Sequence, residues 1–166
     1  QHLGHVKSVD HAPTHNLQDQ ISHKIAVLDA LRERHPPRTR FIIVGHSIGA
    51  YIALQVLRAR PAHGIVKLYA LFPELHSIAA TPNGRTLQTH KDKLVMYYGR
   101  TDSWCPLDHH ETMKSLVPDA EIYLCDRGLQ HAFVLGGSEK MGEIVSAWVR
   151  KLQQPEQSSP PEEIVW

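Results

Sequence analysis

The sequence predicts an α/β fold: a mostly parallel sheet with helices on both faces. Two observations carry this expectation. Apolar runs of strand length alternate with stretches of helical spacing, and that alternation favours parallel strands joined by helical crossovers. At one junction Phe41-Ile42-Ile43-Val44 leads straight into Gly45-His46-Ser47-Ile48-Gly49-Ala50, and a helical pattern follows at once. A serine framed by glycines between strand and helix is the sequence context of a nucleophile elbow.

Taken in order, residues 1–15 show no period and read as loop. Over residues 16–34 the apolar positions Leu17, Ile21, Ile25, Leu28 and Leu31 fall at helical spacing. Asn16 is a candidate N-cap, and His35-Pro36-Pro37 stops the helix. Residues 40–44 read as a buried strand. Residues 47–60 read as a helix with Ala50, Ala53, Leu54 and Leu57 on one face, ended by Pro61. A second strand covers 65–71 and closes at Phe72-Pro73. Residues 74–92 read as irregular, with a turn at Pro82-Asn83-Gly84. A third strand is expected over 93–98, a helix over 107–116 and a fourth strand over 121–125. Residues 138–152 read as a long helix capped by Ser138, with Met141, Ile144, Val145, Trp148 and Val149 inward. Residues 1–152 thus form one expected domain. Residues 153–166, rich in Gln, Glu, Ser and Pro, read as a disordered tail.

Ligands of such sheets collect outside the carboxyl ends of the strands. Gly45 and Gly49 are expected to leave room for close backbone at the elbow. Ser47 Oγ then stands above the sheet, and the Ile48 N–H can point at a developing oxyanion. A serine hydroxyl needs a base, and the base needs an orienting group. The expected chain order is serine, acid, histidine. Asp102 lies in the loop after the third strand, and His131 in the loop after the fourth. The expected catalytic set is therefore Ser47, Asp102 and His131. Asp126 is the rival acid, in the same loop as His131; Asp108, inside a helix start, is a weaker one. Without the chemistry, Ser47 reads as a helix N-cap, Asp102 as a turn residue and His131 as a half-buried loop residue.

Composition narrows the function classes. The 166 residues are 42% apolar with net charge +1, so nothing favours nucleic acid or an anionic surface. Mean hydropathy is −0.32. No apolar run reaches about 18 residues, so no transmembrane helix is expected, and no signal peptide is visible. The chain begins at Gln1 rather than Met, which suggests that the natural start lies upstream. Cys125 ends an apolar run and reads as a buried thiol, with no disulfide to Cys105 expected. Most of the 13 histidines read as solvated, with His109-His110 opening a helix. None shows a zinc spacing, and no metal or other cofactor is expected.

Four stretches resemble the lipid-droplet-associated hydrolases, a branch of the α/β-hydrolase superfamily. Asn16-Leu17-Gln18-Asp19-Gln20-Ile21-Ser22-His23-Lys24 is similar to the family's helix before the elbow, and Gly45-His46-Ser47-Ile48-Gly49-Ala50-Tyr51 to the elbow itself. Leu71-Phe72-Pro73, Ser77-Ile78-Ala79 and Pro82-Asn83-Gly84 resemble the strand and loop that follow. Tyr97-Tyr98-Gly99 with Asp102 and Trp104-Cys105-Pro106, then His131-Ala132-Phe133, resemble the acid and histidine loops. The likeness spans about residues 2 to 152. It implies an α/β-hydrolase fold and a serine hydrolase of sterol esters or acylglycerols at lipid droplets, with the endoplasmic reticulum and cytosol as further compartments. By matching positions it also implies Ser47, Asp102 and His131 as the triad.

Two departures matter. Family members carry an upstream Gly-Asn-Pro-Gly loop that resembles an oxyanion motif, and a long, partly apolar insertion before the Tyr-Tyr-Gly strand. This chain has neither, so it reads as a fragment, a truncated product or a reduced member. Two alternatives stay open: a catalytically silent lipid-droplet protein, and a generic soluble carboxylesterase or thioesterase.

Overall fold

The computed structural model describes residues 15–73 and 83–153. They fall into two compact units, one ending at His131 and one starting at Ala132. In the first unit, four strands lie in the order β1 (Phe41–His46), β2 (Ile65–Leu71), β3 (Leu94–Gly99) and β4 (Glu121–Cys125). Every neighbouring pair is parallel. The expected α/β class is the observed one.

Helix α1 (Leu17–Arg34) begins where the sequence places it. The Asn16 side chain accepts from the Asp19 N–H at 3.0 Å, and the Asp19 carboxylate accepts from the Asn16 N–H at 2.9 Å. This reciprocal pair satisfies two of the donors a helix start leaves open. Helix α2 (Ile48–Ala59) buries Ile52, Gln55 and Val56 as well as the four expected positions. It is clasped between α1 and the sheet, so its burial runs well beyond one stripe. At its end Arg60 forks onto Asp29 of α1, with N–O distances of 2.7 and 2.8 Å, and holds that carboxyl below its ordinary range.

Side chains of β3 alternate across the sheet. Leu94, Met96 and Tyr98 join Leu68 and Ala70 of β2 in one core with Leu28, Ala53, Leu54 and Leu57. Val95 and Tyr97 point to the opposite face and are also buried. All six residues of β3 are out of solvent, as an inner parallel strand requires.

Four expectations need correction. The strand at 40–44 is not buried throughout: Ile42 and Val44 are 37% and 48% exposed. Among the described residues β1 pairs only with β2, so it is an edge strand with one face open. The stretch taken as irregular holds α3 (Asn83–Thr89) and a single turn at Lys91–Lys93; residues 74–82 lie outside the described residues. Helix α3 carries one large apolar anchor, Leu87, too little for a period to show in sequence. Of the expected turn Pro82-Asn83-Gly84, Asn83 and Gly84 open this helix, and Pro82 lies outside the described residues. In α4 (Leu107–Leu116), His109 and His110 are buried beside Met113 instead of solvated. The His110 ring meets Tyr98 edge-on at 5.7 Å, where its flat, half-apolar body suits an inward position.

The second unit contains a turn at Phe133–Leu135 and α5 (Ser138–Gln153). Met141 is buried and Ile144, Val145, Trp148 and Val149 are half-buried, the expected stripe. The cap is the fourth correction. Met141 N–H donates to the Gly137 carbonyl at 3.0 Å, so Gly137 rather than Ser138 takes the first helical bond. The tail expected after residue 153 lies outside the described residues. No described helix is long and apolar enough to cross a membrane.

Candidate active site

Ser47 sits at φ 54°, ψ −125°, in backbone space a non-glycine residue rarely adopts. Such strain costs about 1–3 kcal/mol and persists only where neighbours enforce it. Here the Ser47 N–H donates to Leu71 of β2 at 3.0 Å, and its carbonyl accepts from Ala50 at 2.9 Å. Gly45 is obligatory: a Cβ there would lie 2.4 Å from the Gly49 oxygen and 2.7 Å from Ala50 Cα. Gly49 is not, because a Cβ there meets nothing within 4 Å. That corrects the expected symmetry of the two glycines. Ser47 Oγ makes no cap bond to α2 and lies 2.9 Å from His131 Nε2. Ile48 opens α2 directly after it, with its backbone N–H in the first turn.

Asp102 follows β3 and its side chain is fully buried. A buried carboxylate must be saturated with donors. Oδ1 accepts from the Trp104 N–H at 2.8 Å and the Cys105 N–H at 3.2 Å. Oδ2 stands 2.8 Å from His131 Nδ1. This turn fits only because residue 99 is glycine; a Cβ there would lie 2.4 Å from the Phe72 ring. Phe72 itself is held at φ 49°, with its N–H donating to Tyr97 at 2.7 Å.

His131 is walled by rings. Trp104 stacks on it at 5.6 Å and 23°, and Phe72 meets it edge-on at 6.0 Å. A carboxylate only accepts, so Nδ1 carries the proton and Nε2 offers its lone pair to Ser47 Oγ–H. The structure thus brings Ser47, Asp102 and His131 together. It does not bring Asp126, which is exposed, or Asp108, whose carboxylate accepts from the N–H of His109.

Sequence reasoning missed His46. Its Nε2–H donates to the His131 carbonyl at 2.8 Å, and the two rings lie 5.2 Å apart. Burial is the main reason its pKa is lowered from the ordinary 6.5. The only signal in sequence was adjacency to Ser47, and nothing local shows that it reaches a carbonyl 85 residues on. Neutral His46 supports folding above pH 6.5. Below that the unfolded chain takes up the proton first, so this stability is lost as pH falls through the depressed folded pKa. His46→Gln, which keeps an N–H for the carbonyl, is expected to flatten the decline in unfolding free energy below pH 6.5. His46→Ala is expected to lose about 1 kcal/mol at pH 7.5 with the hydrogen bond. Urea unfolding across that pH range reads both effects.

Asp102, Cys105 and His131 also place a carboxylate oxygen, a thiol sulfur and Nδ1 within 4.8 Å of one another. A groove of about 460 Å³ between α1, α2 and β1 reaches His46 and Gly49 but is not lined by Ser47, Asp102 or His131. It is therefore no substitute for the site built by those three side chains.

The lipid-droplet associated hydrolase family matches this chain over residues 1–90 and 85–134. A lipid droplet-associated hydrolase from Rattus norvegicus is 26% identical over 212 positions, covering 81% of this chain and 64% of the relative. One from Drosophila melanogaster is 23% identical over 216 positions, covering 82% and 69%. The chain thus spans just under two thirds of the rat protein. Both alignments run over more positions than the chain has residues, so these relatives carry internal residues with no counterpart here. Among solved structures, an alpha-beta serine hydrolase homologue from Coxiella burnetii superposes with TM-score 0.67 at 20% identity, covering 91% of this chain and 66% of that one. A putative alpha/beta hydrolase from Agrobacterium tumefaciens gives 0.66 at 19%, covering 86% and 64%. With an elbow, a parallel sheet and a family match over most of its length, this chain has an α/β-hydrolase fold and belongs to the lipid-droplet associated hydrolase family.

Proposed function

We propose that this chain is a serine hydrolase of lipid esters, of sterol ester or acylglycerol type, that works at lipid droplets. One observation carries the chemistry: the continuous relay from Asp102 Oδ2 through His131 to Ser47 Oγ, at 2.8 and 2.9 Å. His131 Nε2 takes the hydroxyl proton as Oγ attacks the ester carbonyl carbon. Asp102 holds the tautomer and stabilises the imidazolium. The Ile48 N–H donates to the oxyanion. His131 then protonates the departing alcohol, leaving an acyl-enzyme on Ser47. A water, deprotonated by His131, attacks that acyl carbon, releases the acid and returns the proton to Ser47. The relatives' names support hydrolase chemistry and the droplet surface; the lipid-ester class is inferred from the lipids such a surface presents.

The test is reaction of the purified chain with a fluorophosphonate probe, followed by cholesteryl-ester and triacylglycerol emulsions. Labelling that vanishes in Ser47→Ala, with release of fatty acid from either emulsion, is expected. A folded chain that neither labels nor releases acid would leave the silent droplet protein as the better reading. Labelling with turnover of short soluble esters alone would favour a generic esterase.

A further inference from the structure

We propose that Asp102, Cys105 and His131 form a site for a thiophilic divalent cation of the zinc class, and that its occupancy switches the serine off. The switching half of this rests on His131 being the base for Ser47; the binding half does not.

Cys105 has no part in the relay through its sulfur. The side chain is fully buried, donates to the Phe72 carbonyl at 3.3 Å and stands 3.9 Å from His131 Nδ1. Nδ1 is 2.8 Å from Asp102 Oδ2. Sulfur, imidazole nitrogen and carboxylate oxygen are the three donor types that zinc accepts. Metal–ligand lengths near 2.3 Å for sulfur and 2.0–2.2 Å for nitrogen and oxygen put tetrahedral edges at about 3.6 Å for S···N and 3.4 Å for N···O. The sulfur must close by about 0.3 Å and the carboxylate open by about 0.6 Å to meet those lengths. Asp102 and Cys105 sit three residues apart on one tight turn, so two of the three ligands are already held together. Trp104, stacked on His131 and 71% exposed, forms the solvent-facing side of the wall, the side from which an ion and a fourth, water ligand would enter.

Charge favours the occupied state. A thiolate and a carboxylate cancel a dication, so the buried assembly is neutral and avoids an unpaired buried charge. Cys105 releases its thiol proton to solvent. The His131 proton is not released; it moves from Nδ1 to Nε2 as the ion takes the Nδ1 lone pair. Nε2–H then faces Ser47 Oγ as a donor and cannot accept its proton. Occupancy therefore selects the tautomer that the relay excludes.

The test uses the full chain with Co²⁺ as a spectroscopic probe and Zn²⁺ as the ligand. Co²⁺ is expected to give a thiolate-to-metal charge-transfer band at one equivalent, kept in Cys125→Ser and lost in Cys105→Ser. Zn²⁺ is expected to displace it and to stop fluorophosphonate labelling in the same concentration range, reversibly with EDTA. Its affinity should drop at least about 100-fold in Cys105→Ser. Absence of the band in the unsubstituted chain, or its survival in Cys105→Ser, overturns the site; binding by surface histidines gives no such band. A band with labelling unaffected by Zn²⁺ overturns the switch. A chain that shows the band but never labels, with or without metal, keeps the site and rejects the hydrolase reading instead.

Discussion

His131→Ala is expected to slow fluorophosphonate labelling of Ser47 by about 10⁴–10⁶-fold, the usual cost of removing a triad base. Among the described residues no other base is poised to replace it. The imidazole packed against it among the described residues is His46, and its Nε2–H is committed to the residue-131 carbonyl. That bond is to backbone, so it survives the substitution and keeps the loop in place. Phe72 and Trp104 lose a ring neighbour, but the buried turn at Asp102 keeps its two backbone donors. Urea unfolding should therefore show only a modest loss of stability beside the collapse in rate. A labelling rate within tenfold of the unsubstituted chain would remove His131 from the mechanism.

Asp102→Asn is expected to cost about 10⁴-fold in rate with little change in geometry. The reason is local. Trp104 N–H and Cys105 N–H both point at Oδ1, so the asparagine oxygen must stay there and the amide NH₂ must face His131. An NH₂ group cannot accept from Nδ1–H. The imidazole shifts its proton to Nε2 and presents a donor to Ser47 Oγ, the wrong polarity for a base. Asp126→Asn should leave the rate unchanged, since Asp126 is exposed. The reverse pattern, with Asp126→Asn inactive and Asp102→Asn active, would transfer the orienting role to Asp126.

Much of the architecture was legible in the chain because its signals are local. A capping residue and its partner lie three positions apart, as Asn16 and Asp19 show. Strand length, helical spacing and the glycine-framed serine need only a short window. So the strand–elbow–helix junction, the parallel α/β class and the positions of Asp102 and His131 after successive strands could be read directly. Where the local signal thinned, the reading failed. Helix α3 has one buried large apolar residue, and His109-His110 look polar until a sheet lies under them.

By itself, then, the sequence determined the fold class, the family and a short roster of chemical groups near one end of a sheet. Only the tertiary structure set Asp102 rather than Asp126 against His131, tied His46 to the His131 carbonyl and placed the Cys105 sulfur 3.9 Å from His131 Nδ1. The physical reason is range against tolerance. Periodicity is summed over many residues and survives noise. A relay depends on placing atoms within about 3 Å, and here Ser47 and His131 are 84 residues apart. That precision comes from strand register, a strained elbow and a buried turn acting together, none of which is written in any single stretch of the chain.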